Sequence, residues 1–198
     1  MNLLEGKRRA MVLPDRRDYD RHVGEMNPFI FDTFATMLVV RGILPVVWEP
    51  FAGTSASRNH DFVEKLGSML LLSQDLTPRD SRVKRADSTV SGPTLVIGGM
   101  VVHPPYFGAR LSKDREPGDV SLNDDMDSYL GAVRKAVELG AKSMVSGGMA
   151  CVVGRSYRHR GKYVKLDELF HDLMESVGYR LEDVWSSVPD VALIMVKG

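Results

Sequence analysis

The chain has 198 residues, of which 43% are hydrophobic and 26% charged, and its 26 basic and 26 acidic residues leave a formal net charge of zero. That length suits one domain with a sizeable core, and the neutral total argues against a protein that coats polyanions while permitting a local basic patch. No run approaches the roughly 18 consecutive apolar residues of a membrane span, and the N-terminus lacks an apolar signal core, so a cytoplasmic protein with no membrane partner is expected.

Residues 1–26 are dense in charge of both signs, from Lys7, Arg8 and Arg9 to Asp18, Asp20 and Arg21, and predict a surface arm ahead of a domain spanning 27–198. Asn27-Pro28 suits a helix start, with an apolar helix-compatible segment from Phe29 to Val40. Leu44 to Trp48 reads as a short buried strand ending at Glu49, and Leu70-Leu71-Leu72 as a second ending near Asp75. Leu95 to Val102 is a third, weakened in its middle by Gly98 and Gly99. A helical stripe then runs from Asp124 through Met126, Tyr129, Leu130, Val133 and Val137. Ser143 to Val153 forms a fourth strand. It contains the single cysteine, Cys151, whose apolar surroundings predict a core residue and whose solitude excludes an internal disulfide. Leu166, Leu169, Phe170, Leu173, Met174 and Val177 give a second helical stripe, stopped by Gly178. Tyr179–Trp185 and Val191–Val196 close the chain as strands. Strands alternating with helices predict a single doubly wound α/β domain, its mostly parallel sheet covered by helices on both faces.

In such sheets ligands bind beyond the carboxyl ends of the strands, and two motifs fall there. Glu49-Pro50-Phe51-Ala52-Gly53-Thr54-Ser55 follows the first strand, and Gly53 allows close approach to the backbone. Asp75 ends the second strand, where an acid commonly grips ribose hydroxyls, and Asp87 is placed to face an adenine amino group. The third strand runs into His103-Pro104-Pro105-Tyr106-Phe107. Two adjacent prolines lack donor N–H groups, so this segment is a stiff platform with exposed carbonyls beside aromatic rings, suited to a planar, amino-bearing ring. There is no G-x-G-x-x-G and no phosphate-loop lysine, and the five histidines show no metal-ligand spacing.

With these residues in place, the chain resembles the S-adenosylmethionine-dependent amino methyltransferases of DNA bases, whose signatures are an Asp-Pro-Phe-x-Gly-x-Gly cofactor loop and an (Asp/Asn/Ser)-Pro-Pro-(Tyr/Phe/Trp) catalytic loop. The resemblance runs from about Asn27 to the C-terminus. It implies a Rossmann-like methyltransferase fold, S-adenosyl-L-methionine as cofactor, and methyl transfer to cytosine N4 or adenine N6. Position by position it implies cofactor contacts at Glu49, Phe51, Gly53, Thr54, Asp75 and Asp87, with Asn27 and Pro28 as an N-terminal cofactor segment. His103, Pro104, Pro105 and Tyr106 match the catalytic tetrapeptide. Glu49 stands where Asp is usual, Ser55 replaces the second glycine, and His103 occupies a position usually held by a carboxylate, carboxamide or hydroxyl.

On this reading the His103 side chain and the Pro104 carbonyl accept the two amine N–H bonds and aim the nitrogen lone pair at the sulfonium methyl. Tyr106, helped by Phe107, stacks on the extruded base. His103 does its part only as neutral imidazole. The most basic stretch, Gly154 to Lys165, interleaves Arg155, Arg158, Arg160 and Lys162 with Tyr157 and suits phosphate contact and stacking. Lys113 belongs to the segment Leu111 to Gly118, expected to flap over the target, and Arg110 just before it is a further expected nucleic-acid contact. DNA is the expected partner, RNA a less favoured one, and a homodimer or specificity partner is left open. The competing readings are an RNA base amino methyltransferase and a non-catalytic methyltransferase-like subunit that binds nucleic acid.

Overall fold

The computed structural model describes residues 11–12, 26–108, 118–187 and 190–198. In chain order the strands are β1 (Met11–Val12), β2 (Val46–Glu49), β3 (Leu70–Asp75), β4 (Lys84–Arg85), β5 (Ile97–Val102), β6 (Met144–Gly154), β7 (Ser156–His159), β8 (Lys162–Lys165), β9 (Tyr179–Ser187) and β10 (Asp190–Lys197). The helices are α1 (Pro28–Val40), α2 (Ala56–Leu66), α3 (Met126–Ser143) and α4 (Leu166–Ser176). The start of α1 is fixed chemically. Asn27 Oδ1 accepts the Phe29 amide at 3.0 Å, and Pro28 supplies a first helical residue with no N–H to satisfy.

Among the described residues one sheet runs in the order β1-β9-β10-β6-β5-β2-β3-β4. β2 lies parallel to both β3 and β5, β3 to β4, and β5 to β6. The chain order reverses between β2 and β5, which puts a crevice at their carboxyl ends. β10 runs antiparallel to both β6 and β9. The expected doubly wound, mostly parallel sheet is therefore present, with this one inverted strand. Within the stretch read as a surface arm, Met11 and Val12 pair in parallel with Trp185 and Ser186 of β9.

Side chains alternate across the sheet and build a core on each face. Trp48, Met100, Val102, Ala150, Val152, Leu193 and Met195 face α3 and α4, meeting Tyr129, Val133, Phe170 and Met174. Their neighbours Val47, Val101, Met149, Cys151, Val153 and Ile194 face α1, meeting Ile30, Phe31, Phe34 and Leu38. Burial on both faces explains why these strands read as continuous apolar runs. Gly98 belongs to the strand for a packing reason: a Cβ there would lie 2.0 Å from the Leu44 carbonyl oxygen. No described helix is long and apolar enough to cross a membrane.

Candidate active site

The loop after β2 is shaped by hydrogen bonds to the next strand. Ala52 N–H donates to the Gln74 carbonyl at 3.0 Å, and Gly53, at φ +52°, opens a 3-10 turn that leads into α2. Asp75, at the carboxyl end of β3, accepts the Gly53 amide at 2.8 Å through Oδ2 and the Thr77 amide at 2.8 Å through Oδ1. One carboxylate thus fixes both the glycine turn and its own loop. Asp87 accepts from the backbone and hydroxyl of Thr89 through Oδ1, while its Oδ2 faces Gly118.

Glu49 is placed differently from its neighbours. It is 2% exposed and lies behind the loop, its carboxyl accepting from Asn59 Nδ2 at 2.8 Å and Ser73 Oγ at 3.0 Å. Burial pushes it up to about 7, against the lowering effect of Ser73 and Asn59 and with a further push from Asp75. Asn27 is likewise buried. Its neighbour Met26 donates its amide to Ser55 Oγ at 3.3 Å, which ties the start of α1 to the same loop.

β5 ends at Val102, and His103-Pro104-Pro105-Tyr106 leaves the sheet with no regular structure. His103 Nε2 lies 3.3 Å from the Tyr106 hydroxyl. The Tyr106 ring is only 8% exposed. It stacks on Tyr157 with 5.8 Å between centroids and 21° between planes, and the Arg155 guanidinium carbon lies 5.0 Å from its centre. Its phenol is held well above the ordinary tyrosine range, chiefly by burial. The sequence reading offers this ring to an extruded base; in the structure Tyr157 already stacks on it.

The basic stretch after β6 folds as a hairpin of β7 and β8. Arg160 and Gly161 turn it with φ of 48° and 78°, the paired positive values of a two-residue type I′ turn. The hairpin is fastened to the segment after β5 at three points. Tyr157 donates its hydroxyl to the Phe107 carbonyl at 2.8 Å, and the Phe107 ring meets His159 at 5.2 Å. Gly108 packs so closely on His159 that a Cβ would lie 2.2 Å from its ring. Arg158, Arg160 and Lys162 are exposed on this hairpin. Arg110 and Lys113 lie outside the described residues.

Between these loops is a cavity of about 190 Å³. It brings together Phe51, Gly53, Thr54, Asp75, Asp87 and all four residues of the tetrapeptide. Asn27, Pro28, Glu49, Phe107, Arg155, Tyr157, Arg158, Arg160 and Lys162 are not on its wall. Thr77, Arg79, Ser88 and Asp119 are on it, and sequence reasoning missed them. Thr77 and Arg79 lie a few residues past Asp75, which is the one signal that could have found them. The protein is thus an α/β protein with a crevice at its switch point, walled by a glycine turn, two acids and a proline-rich loop, at the place where such sheets bind ligands.

No family model and no curated protein matches the sequence. Solved structures do match its fold. The sugar N-methyltransferase KedS8 of Streptoalloteichus sp. ATCC 53650 superposes with a TM-score of 0.54 at 12% identity, over 94% of this chain and 98% of that one. The 1,6-didemethyltoxoflavin-N1-methyltransferase of Burkholderia thailandensis, with 1,6-didemethyltoxoflavin and S-adenosylhomocysteine bound, gives 0.51 at 11% identity over 85% and 78%. The N-methyltransferase NodS of Bradyrhizobium japonicum WM9, in complex with S-adenosyl-L-homocysteine, gives 0.50 at 18% identity over 88% and 89%. The chain has the Rossmann-like fold of the S-adenosylmethionine-dependent methyltransferases, as the resemblance implied.

Proposed function

We propose that the protein transfers a methyl group from S-adenosylmethionine to an amino nitrogen, and that the acceptor is the exocyclic amine of a DNA base, cytosine N4 or adenine N6. The observation that carries the reading is the shared cavity. The tetrapeptide His103-Pro104-Pro105-Tyr106 and the Phe51-to-Thr54 turn line one space, with Asp75 and Asp87 on its wall. The lining fits the cofactor: acids for ribose hydroxyls and an adenine amine, and small residues where a ligand approaches the backbone. Bound there, S-adenosylmethionine supplies an electrophilic methyl on a sulfonium.

The rest falls to this chain's residues. His103 as neutral imidazole and the carbonyl of Pro104 accept the amine N–H bonds, which localises the nitrogen lone pair and favours the positive charge that develops there. Imidazolium would oppose that charge, so the role asks for the neutral ring. The exposed cations of the hairpin, fastened to the loop through Phe107 and Gly108, suit the phosphates of a nucleic acid.

One observation favours a second reading. Tyr106 is stacked on Tyr157 and nearly inaccessible, and the similar structures named above include methyltransferases of a sugar and of 1,6-didemethyltoxoflavin. A small amine would leave that stack undisturbed. The test is transfer of labelled methyl to unmethylated DNA, to RNA and to a panel of small aromatic amines, with nucleoside analysis of the polymers. Methylcytosine or methyladenine in DNA, lost in His103→Ala, supports the first reading. Label in RNA or in a small amine alone replaces it. No transfer to any acceptor, with cofactor binding intact, points to a non-catalytic subunit.

A further inference from the structure

Beside the stacked rings of Tyr106 and Tyr157 stands a buried polar atom without a partner. Tyr129 belongs to the inner face of α3 and is wholly buried, yet among the described residues its hydroxyl makes no hydrogen bond. Its ring meets Phe107 at 5.8 Å and Phe170 at 6.4 Å between centroids. Phe107 joins it to the stack, since the Phe107 carbonyl accepts the Tyr157 hydroxyl at 2.8 Å. Burial, reinforced by the nearby phenols of Tyr157 and Tyr106, holds the proton on Tyr129, so its hydroxyl has a hydrogen bond to donate. An unpaired buried hydroxyl costs stability that phenylalanine at the same position would not. Exceptions of this kind gather at functional sites.

Of the three rings, Tyr157 is the least anchored. Tyr106 and Tyr129 belong to the core between the sheet and the helices α3 and α4. Tyr157 is half-buried, on a hairpin whose two strands pair, among the described residues, only with each other. We infer that the space its ring fills is a slot for the planar ring of the acceptor, and that Tyr129 is a specificity-determining residue whose hydroxyl donates to a nitrogen or carbonyl at that ring's edge. That the occupant is the methyl acceptor rests on the methyl-transfer reading; the slot and its hydroxyl rest on the packing. A hydrocarbon ring of the same shape would leave the hydroxyl unpaired, so the slot selects heteroaromatic rings. Cytosine and adenine both carry ring acceptors, and the choice between them falls to other contacts.

The test opens the slot with Tyr157→Ala and, separately, with Tyr157→Val, which keeps a β-branched residue in the strand. Binding of pyrimidine and of benzene to each is followed by NMR titration. Neither probe carries an amine, and the measurement needs neither cofactor nor turnover. Pyrimidine is expected to bind the opened protein and to shift the signals of Tyr106 and Tyr129. Adding Tyr129→Phe is expected to weaken pyrimidine relative to benzene by roughly tenfold, the worth of one neutral hydrogen bond. Comparing that ratio between variants cancels the different hydration of the two probes. With Tyr157 in place, Tyr129→Phe alone is expected to raise the urea midpoint, because it removes an unpaired polar atom. The inference is overturned if neither opened variant binds a ring, if the ratio stays the same, or if the midpoint falls. Ring binding as expected without methyl transfer to any acceptor rejects the substrate reading and leaves the slot standing. Methyl transfer with an unchanged ratio does the reverse.

Discussion

Replacing Glu49 by glutamine is expected to remove a large part of the protein's loss of stability between pH 5 and 8. The Glu49 carboxyl is buried against Asn59 and Ser73, both neutral donors, and burial lifts it from 4.5 to about 7. At about 1.4 kcal/mol per pH unit, that difference is worth about 3 kcal/mol. The sign follows from which state holds the proton. Below 4.5 both states are protonated and the contribution is complete. Between 4.5 and about 7 the unfolded chain has ionised while the folded carboxyl has not, so the unfolded state binds fewer protons and stability falls as pH rises. Above about 7 both are ionised and the slope vanishes. The assay is urea unfolding of wild type and Glu49→Gln at half-unit steps from pH 4.5 to 8. Taking the difference cancels the other carboxylates, and the variant gains on the wild type by about 3 kcal/mol across the range. Parallel curves would refute the reasoning, since they would mean that Glu49 ionises alike in both states.

Gly108→Ala puts a Cβ 2.2 Å from His159, so it is expected to separate the hairpin from the loop and lower methyl transfer while leaving cofactor affinity unchanged, by calorimetry. Arg158→Ala, Arg160→Ala and Lys162→Ala together are expected to reduce the slope of log affinity for DNA against log salt by about 2 to 3, at roughly 0.9 per lost phosphate contact. An unchanged slope removes the hairpin from the DNA reading. Cys151 is fully buried and burial holds its thiol well above the ordinary range, so a thiol reagent at pH 8 should react only after unfolding. Tyr157→Phe cuts the tie to Phe107. It is expected to lower KM for DNA if the base enters over Tyr106, and to leave KM alone if a small amine is the acceptor.

The central strands were legible because they are buried on both faces; the two-residue edge strands β1 and β4 were not. The apolar runs Leu44 to Trp48, Leu70 to Leu72 and Ser143 to Val153 fall on the strands Val46–Glu49, Leu70–Asp75 and Met144–Gly154. The helix Ala56–Leu66 was not legible. Its residues are largely polar, and its buried positions include Asn59 and His60, which present no apolar stripe to count. The hairpin escaped for a related reason: Arg160 in a left-handed conformation is rare enough that Arg-Gly does not read as a turn. The inverted course of β10 carries no local signal either, because a central strand buries both faces whichever way it runs. At the site, the sequence located the cavity walls through Gly53, Asp75 and the two prolines. Glu49 could not be seen to lie behind the wall, since its partner Asn59 comes from a helix that the pattern left blank.

The covered ring of Tyr106 bears on the choice of acceptor through its energy. Displacing Tyr157 gives up one stacked aromatic pair, about 0.5–1.5 kcal/mol, and the hydroxyl bond to Phe107, about another 1 kcal/mol net. An incoming base that stacks on the vacated face returns about 1–3 kcal/mol. The exchange of one ring for another is therefore nearly balanced, and the closed stack is no barrier to a base that arrives already unstacked. The cost that decides is extrusion from the duplex, a few kcal/mol, which must be met by contacts outside the cavity. Arg158, Arg160 and Lys162 stand on the element that carries Tyr157, so phosphate contacts there and release of the stack act on one hairpin. A small amine gains nothing from those cations, and the salt dependence of transfer is accordingly the property that separates the two acceptors.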